Sequence, residues 1–188
     1  MTNNTRARAM SVYAAHFAAR GYRGTSLEAV ATEVGVRKPT LYHHFSGGKE
    51  TLHKLVALDF IERRGRSLQE SLATPGGLVP QLRAVIVGAV ADPTGATSSF
   101  EQHLFDSLDQ LEGDVEKELR EAYVSTLLEP VTARFAQAVA EGELTGADPA
   151  LLCNAFLHLA RAVDMAPGGP EEAAATLVSL FLDGARAA

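Results

Sequence analysis

The chain has 188 residues, 46% of them hydrophobic, a single cysteine and a formal net charge of −6. That length suits one large or two modest domains with a buried core, and the lone Cys153 excludes a disulfide framework or a cysteine metal site. No apolar run approaches the roughly 18 residues of a membrane span, and the polar start MTNNTRAR is no signal peptide, so a reducing cytoplasm is the expected setting.

The charge is unevenly placed. Residues 1–70 hold 11 Lys+Arg against 6 Asp+Glu, a balance of +5, and residues 71–188 hold 6 against 17, a balance of −11. A basic first third and an acidic remainder imply two modules with different partners, the first suited to nucleic acid. Alternating strand patterns are scarce and Ala, Leu and Glu dominate, so the expected fold is all-α.

Residues 6–19 place Met10, Ala14, Phe17 and Ala18 at helical spacing, with Thr5 as a cap and Gly21 as a stop. Thr25-x-x-Glu28 reads as a capping box in which the Thr25 oxygen takes the Glu28 amide. Val30, Ala31 and Val34 give that helix an inner face, and Gly35 suits a left-handed turn before Val36. A second short helix begins near Arg37, with Pro39 in its first turn. Leu41 and Phe45 share its inner side, leaving Arg37, Lys38, Thr40, Tyr42, His43 and His44 for the other faces. SGGKE then turns the chain into a helix over about Lys49–Leu72, and ATPGG (73–77) is the clearest boundary in the sequence. Five further helices are expected, at about Leu78–Ala91, Ser98–Leu111, Asp114–Glu141, Asp148–Met165 and Pro170–Arg186, with Pro130 kinking or dividing the third.

Two short helices around a glycine turn, the second basic at its amino end, form a DNA-reading helix-turn-helix. Thr25, Ser26, Arg37, Lys38 and Lys49 stand at three helix starts, where hydroxyls, cations and free backbone amides can hold phosphates. Arg37 and Lys38 are long enough to read guanine edges. Tyr42 either offers its hydroxyl to a phosphate or packs in the core. His43 and His44 point about 100° apart on a helix, which suits phosphate contact or partial burial and not a shared metal. The DNA-binding set is therefore Thr25, Ser26, Arg37, Lys38, Pro39, Thr40, Tyr42, His43, His44 and Lys49.

Residues 6–60 resemble the DNA-binding domain of the TetR family of bacterial transcriptional regulators. The resemblance rests on FAARGYRGTSLEAVATEVGV, on Pro39–Tyr42, on Phe45 and on Lys49-Glu50 with Leu52. It covers about a third of the chain; the turn between Phe45 and Lys49 is one residue longer than the common form. It implies a helix-turn-helix domain over residues 1–48, continued by the helix 49–72, and an effector-binding and dimerisation domain over residues 73–188, about nine helices in all. It also implies a homodimer on operator DNA, released by a small-molecule effector, with no membrane partner.

The C-terminal helices carry apolar arcs wider than one buried face needs, which points to a subunit contact through Leu152, Ala155, Leu159, Leu177, Leu180 and Phe181. Phe100, His103, Leu104, Leu108, Tyr123, Leu127 and Phe156 mix apolar walls with a few polar groups, as an effector pocket does, although each also suits an ordinary core. No nucleophile, phosphate loop or metal-ligand spacing accompanies them, so neither an enzyme nor a cofactor or metal protein is expected. The expected function is a repressor released by an effector; the alternative is a constitutive DNA-binding regulator with no effector pocket.

Overall fold

The computed structural model describes residues 2–90, 97–111, 113–144, 147–165 and 169–185, and every element among them is helical. The expected connections at 92–96, 145–146 and 166–168, and the expected helix ends Ala91 and Arg186, lie outside the described residues. The elements are α1 (Thr2–Gly24), α2 (Leu27–Val34), α3 (Lys38–His44), α4 (Gly48–Leu72), α5 (Leu78–Val90), α6 (Thr97–Leu108), α7 (Asp114–Tyr123), a π turn (Val124–Leu128), α8 (Glu129–Ala140), α9 (Pro149–Ala160), a 3-10 turn (Arg161–Met165) and α10 (Pro170–Ala185). Residues 73–77 separate α4 from α5. Packing divides the chain elsewhere, into Met1–Glu62 with Ala96–Ala122 and Arg63–Gly95 with Tyr123–Ala188. The segment 96–122, assigned from sequence to the C-terminal module, thus clusters with the reading head.

In the first unit, α1 is broken at Gly21, whose backbone is left-handed (φ 66°). The buried face of α1 runs through Ala9, Tyr13, Phe17 and Ala18; of the expected stripe Phe17 and Ala18 are buried, whereas Met10 and Ala14 are half-buried. Phe17 meets Phe100 of α6 edge-on at 4.7 Å between ring centres, and Phe100 stacks on Phe60 of α4 at 4.3 Å. Helix α2 buries Leu27, Val30, Ala31 and Val34, and ends at Gly35, whose φ of 77° lets its own N–H reach Thr32 O and the Val36 N–H reach Ala31 O. Pro39 stands in the first turn of α3, where no amide is needed. Leu41 and Phe45 are fully buried beneath it, so the α2–turn–α3 corner is fixed from one side by apolar burial of about 2 kcal/mol per large side chain.

In the second unit, α5, α8, α9 and α10 surround a core in which Phe135, Phe156 and Phe181 meet at 5.4–5.8 Å between ring centres. The expected division at Pro130 takes a specific form. Glu129 N–H donates to Val124 O five residues back, a π turn that precedes a proline with no N–H of its own. Asp148 caps α9 by accepting the Ala150 amide at 2.8 Å.

Candidate DNA-binding surface

The site is built on α2 and α3, with the starts of α1 and α4 beside them. The cap of α2 is Ser26, not the expected Thr25: the Ser26 hydroxyl accepts the Ala29 amide at 3.1 Å. Thr25 is buried and its hydroxyl donates to Gly21 O at 2.8 Å. The reason is the break at Gly21, which turns a carbonyl toward Thr25 and leaves the next hydroxyl in line with the helix. Thr25 therefore locks the α1–α2 turn, and the outward hydroxyl at this helix start belongs to Ser26, which is exposed.

Helix α3 presents Arg37, Lys38, Pro39, Tyr42 and His43 to solvent, with Thr40 and His44 half-buried. Arg37 is the extended residue before the helix and carries no capping bond. Lys38 Nζ lies 3.8 Å from the Glu28 carboxylate, an exposed pair worth less than about 1 kcal/mol and easily exchanged for a phosphate. Tyr42 is 47% exposed, which decides between its two readings: the ring does not belong to the core. The His43 and His44 rings stand 5.7 Å apart and tilted by 63°. Lys49 stands in the first turn of α4, as expected, with its Nζ over the Tyr22 ring, 4.2 Å from the centre. Burial lowers its pKa.

Sequence reading missed three contributors. The Arg6 guanidinium lies over the Phe45 ring at 5.8 Å, and Arg8 donates to Glu33 O at 3.3 Å, so the start of α1 brings two cations to this unit. His16 sits 2.7 Å from the Glu33 carboxylate and ties α1 to α2. The alternation of arginine with alanine in residues 6–9 was the available signal.

The residues expected to line an effector pocket fall in both units. Phe100, Leu104 and Leu108 are buried in the first unit, where His103 closes on Gly21 so tightly that a Cβ there would stand 3.2 Å from its Nδ1. Phe156 is in the core of the second unit, and Tyr123 and Leu127 are buried as well. In the second unit an open groove of about 510 Å³ lies between the π turn, α8 and α9, lined by Val124, Leu128, Thr132, Ala136, Ala150 and Cys153. Burial raises the Cys153 thiol pKa. The expected dimer set divides too. Leu152, Leu177 and Phe181 point into the core of their own unit, Leu159 is half-buried, and Ala155 and Leu180 are exposed. Leu151, absent from the expected set, is 64% exposed and Leu180 60%.

A glycine-turned helix pair with an apolar underside and a cationic, aromatic outer face is a helix-turn-helix DNA-binding domain. Residues 14–55 match the family described as bacterial regulatory proteins, tetR family. A 75-residue stretch is 35% identical to the HTH-type transcriptional repressor KstR2 of Mycobacterium tuberculosis, covering 39% of this chain and 38% of that protein. The fold as a whole is similar to a tetR-family regulatory protein from Rhodococcus RHA1 (TM-score 0.78, 18% identity, 98% of each chain). It is also similar to AibR, solved with isovaleryl coenzyme A and operator DNA (TM-score 0.77, 21% identity, 94% of this chain and 97% of that one). Residues 14–55 thus carry the DNA-binding domain of the tetR family of bacterial regulatory proteins, and the chain as a whole shares the fold of such regulators. No helix among the described residues is long and apolar enough to cross a membrane.

Proposed function

We propose that the protein is a dimeric transcriptional repressor that binds a near-palindromic operator and is released by a small-molecule effector. The observation that carries the DNA half is the division of α3. Leu41 and Phe45 are fully buried, while Arg37, Lys38, Tyr42 and His43 face outward on a helix held rigidly from beneath. Arg37 and Lys38 would meet base edges and Tyr42 a phosphate, with Ser26 at the start of α2 as a second phosphate contact. Two such helices fit successive major grooves if they lie about 34–36 Å apart. The exposed line Leu151–Ala155 on α9 and Leu180 on α10 supports pairing through these helices, since large apolar side chains left outward are what a subunit contact covers.

Selection from a random duplex library tests the reading. The expected result is a near-palindromic site whose affinity falls steeply with salt. Tyr42→Phe should weaken all duplexes alike, whereas Arg37→Ala should also relax base preference. Recovery of no preferred site, or equal behaviour of the two variants, would count against it.

The effector half is distinguishable from the constitutive alternative, which gains from the burial of Phe100, Leu104, Leu108, Tyr123, Leu127 and Phe156. An effector can release DNA only through its different affinity for two conformations. Isovaleryl coenzyme A, named with AibR, is a suitable first probe, together with free acids and other acyl thioesters. A rise in Tm with any of them, and loss of the duplex complex, would favour effector control.

A further inference from the structure

Lys49 stands at the start of α4, where a cation and free amides would serve a phosphate, yet its ammonium is seated on the Tyr22 ring of α1 and partly withdrawn from water. Tyr22 in turn lies 4.8 Å from the buried His53 ring, so the seat is backed by the core. Gly48, just before it, has φ 66°, and a Cβ there would stand 3.0 Å from Tyr42 Cε1 and 3.8 Å from Leu27 Cδ1. The outward tyrosine of α3 therefore rests against a bare backbone, on a surface that any larger residue would push away. Thr51 stands closer still to the preceding glycine, with its hydroxyl oxygen where a Gly47 Cβ would go.

We infer that Gly48 and Lys49 form a positioning device for the reading helix and not a phosphate clamp: Lys49 pins α4 to α1 through Tyr22, and Gly48 seats the Tyr42 ring. The inference rests on the DNA-binding reading for its consequence, but the pin itself is a property of the free protein. To reach a phosphate, Lys49 would have to leave the ring, giving up the attraction of the π face and exposing Tyr22. Tyr42 has no comparable tether, so its position depends on what lies beneath it.

Three measurements on the full chain decide the matter. The first uses a duplex recovered from a random library by the wild-type protein, with Kd followed against potassium chloride. Lys49→Gln should leave the slope of log Kd against log salt unchanged, whereas Lys38→Gln should reduce it. A phosphate clamp at Lys49 would lose about 0.9 of slope on substitution, and that result overturns the inference while leaving the DNA-binding reading intact. The second is Gly48→Ala, expected to weaken binding roughly tenfold by crowding the ring. In a Tyr42→Ala background that loss should largely vanish; an undiminished loss would mean that Gly48 acts through the backbone alone. Gly48→Asn, which tolerates the left-handed conformation, replaces the alanine variant if that one does not fold. The third needs no DNA. Tyr22→Leu and Lys49→Met should each lower Tm, and the double variant should lose less than their sum; strict additivity overturns the pin. If no duplex is recovered at all, the DNA-binding reading falls, and the melting experiment still decides the pin.

Discussion

His53 should cost the protein stability as the pH falls from about 7 to 4. This residue has no exposed surface and lies among the rings of Phe17 and Tyr22, each 4.8 Å away between centres, and Tyr13 at 6.0 Å. The Ser107 hydroxyl donates to Leu104 O at 2.7 Å, which leaves its oxygen to accept from His53 Nε2–H at 3.1 Å and assigns the neutral tautomer. Burial first, and the Lys49 charge second, push the imidazole pKa down from 6.5 to about 4. In the unfolded chain the same ring takes a proton near pH 6.5. Below that pH the unfolded state binds a proton that the folded state refuses, so stability falls as pH falls, until the folded ring also titrates near 4. About 2.5 pH units at about 1.36 kcal/mol each give a loss of about 3 kcal/mol across that window. The effect is read as a difference, so that contributions common to both proteins cancel. Urea unfolding of wild type and His53→Gln at one protein concentration should show the wild-type advantage shrinking by about 3 kcal/mol between pH 6.5 and 4. The His53 ring-proton resonance should titrate near 4. A ring titrating near 6.5, or a gap between the two proteins that does not change with pH, would refute the assignment.

Other substitutions separate local from tertiary causes. Ser26→Ala should cost about 1 kcal/mol by urea unfolding, because it removes the acceptor for the Ala29 amide. Gly35→Ala should cost about 1–2 kcal/mol from its left-handed backbone alone, since a Cβ there meets nothing within 4 Å, and Gly35→Asn should recover part of it. Leu180→Glu should shift the protein toward monomer in sedimentation without loss of helical signal. Leu152→Ala, whose side chain is buried in its own unit, should instead lower stability by about 2–5 kcal/mol and leave the association unchanged.

The reading head was legible because its determinants are local. Gly35, Pro39 and the four-residue spacing of Leu41 and Phe45 each act within one or two turns, and the structure places all of them as the sequence implies. The cap was misread by one position for an equally local reason. Thr25 and Ser26 are both hydroxyls, and Thr25-x-x-Glu28 has the spacing of a capping box, but the orientation of the Gly21 carbonyl is a property of the broken helix before it. No spacing rule contains that carbonyl. His53 and Lys49 were illegible for a different reason, since their surroundings come from α1 and, for His53, α6, far away in sequence.

The pocket and the dimer face show what hydrophobic periodicity can and cannot carry. A wide apolar arc states that a helix is covered on two sides, and α9 does carry two lines: Leu152 and Phe156 turn inward, while Leu151 and Ala155 are left outside. Period alone does not say which line faces the chain's own core, and a shift of one position exchanges them, because adjacent residues stand about 100° apart. The same ambiguity attends Phe100, Leu104 and Leu108, which suit a pocket wall as well as a core. Their spacing requires burial, and packing against Phe17 or other neighbours meets that requirement as well as a ligand would. A cavity is an absence of contact, and no residue type encodes it directly. What distinguishes wall from core is the length and tilt of the helices opposite. That is why the effector question belongs to ligand-dependent melting, whereas the α3 surface, defined by residues that remain outside after all apolar positions are filled, follows from the sequence itself.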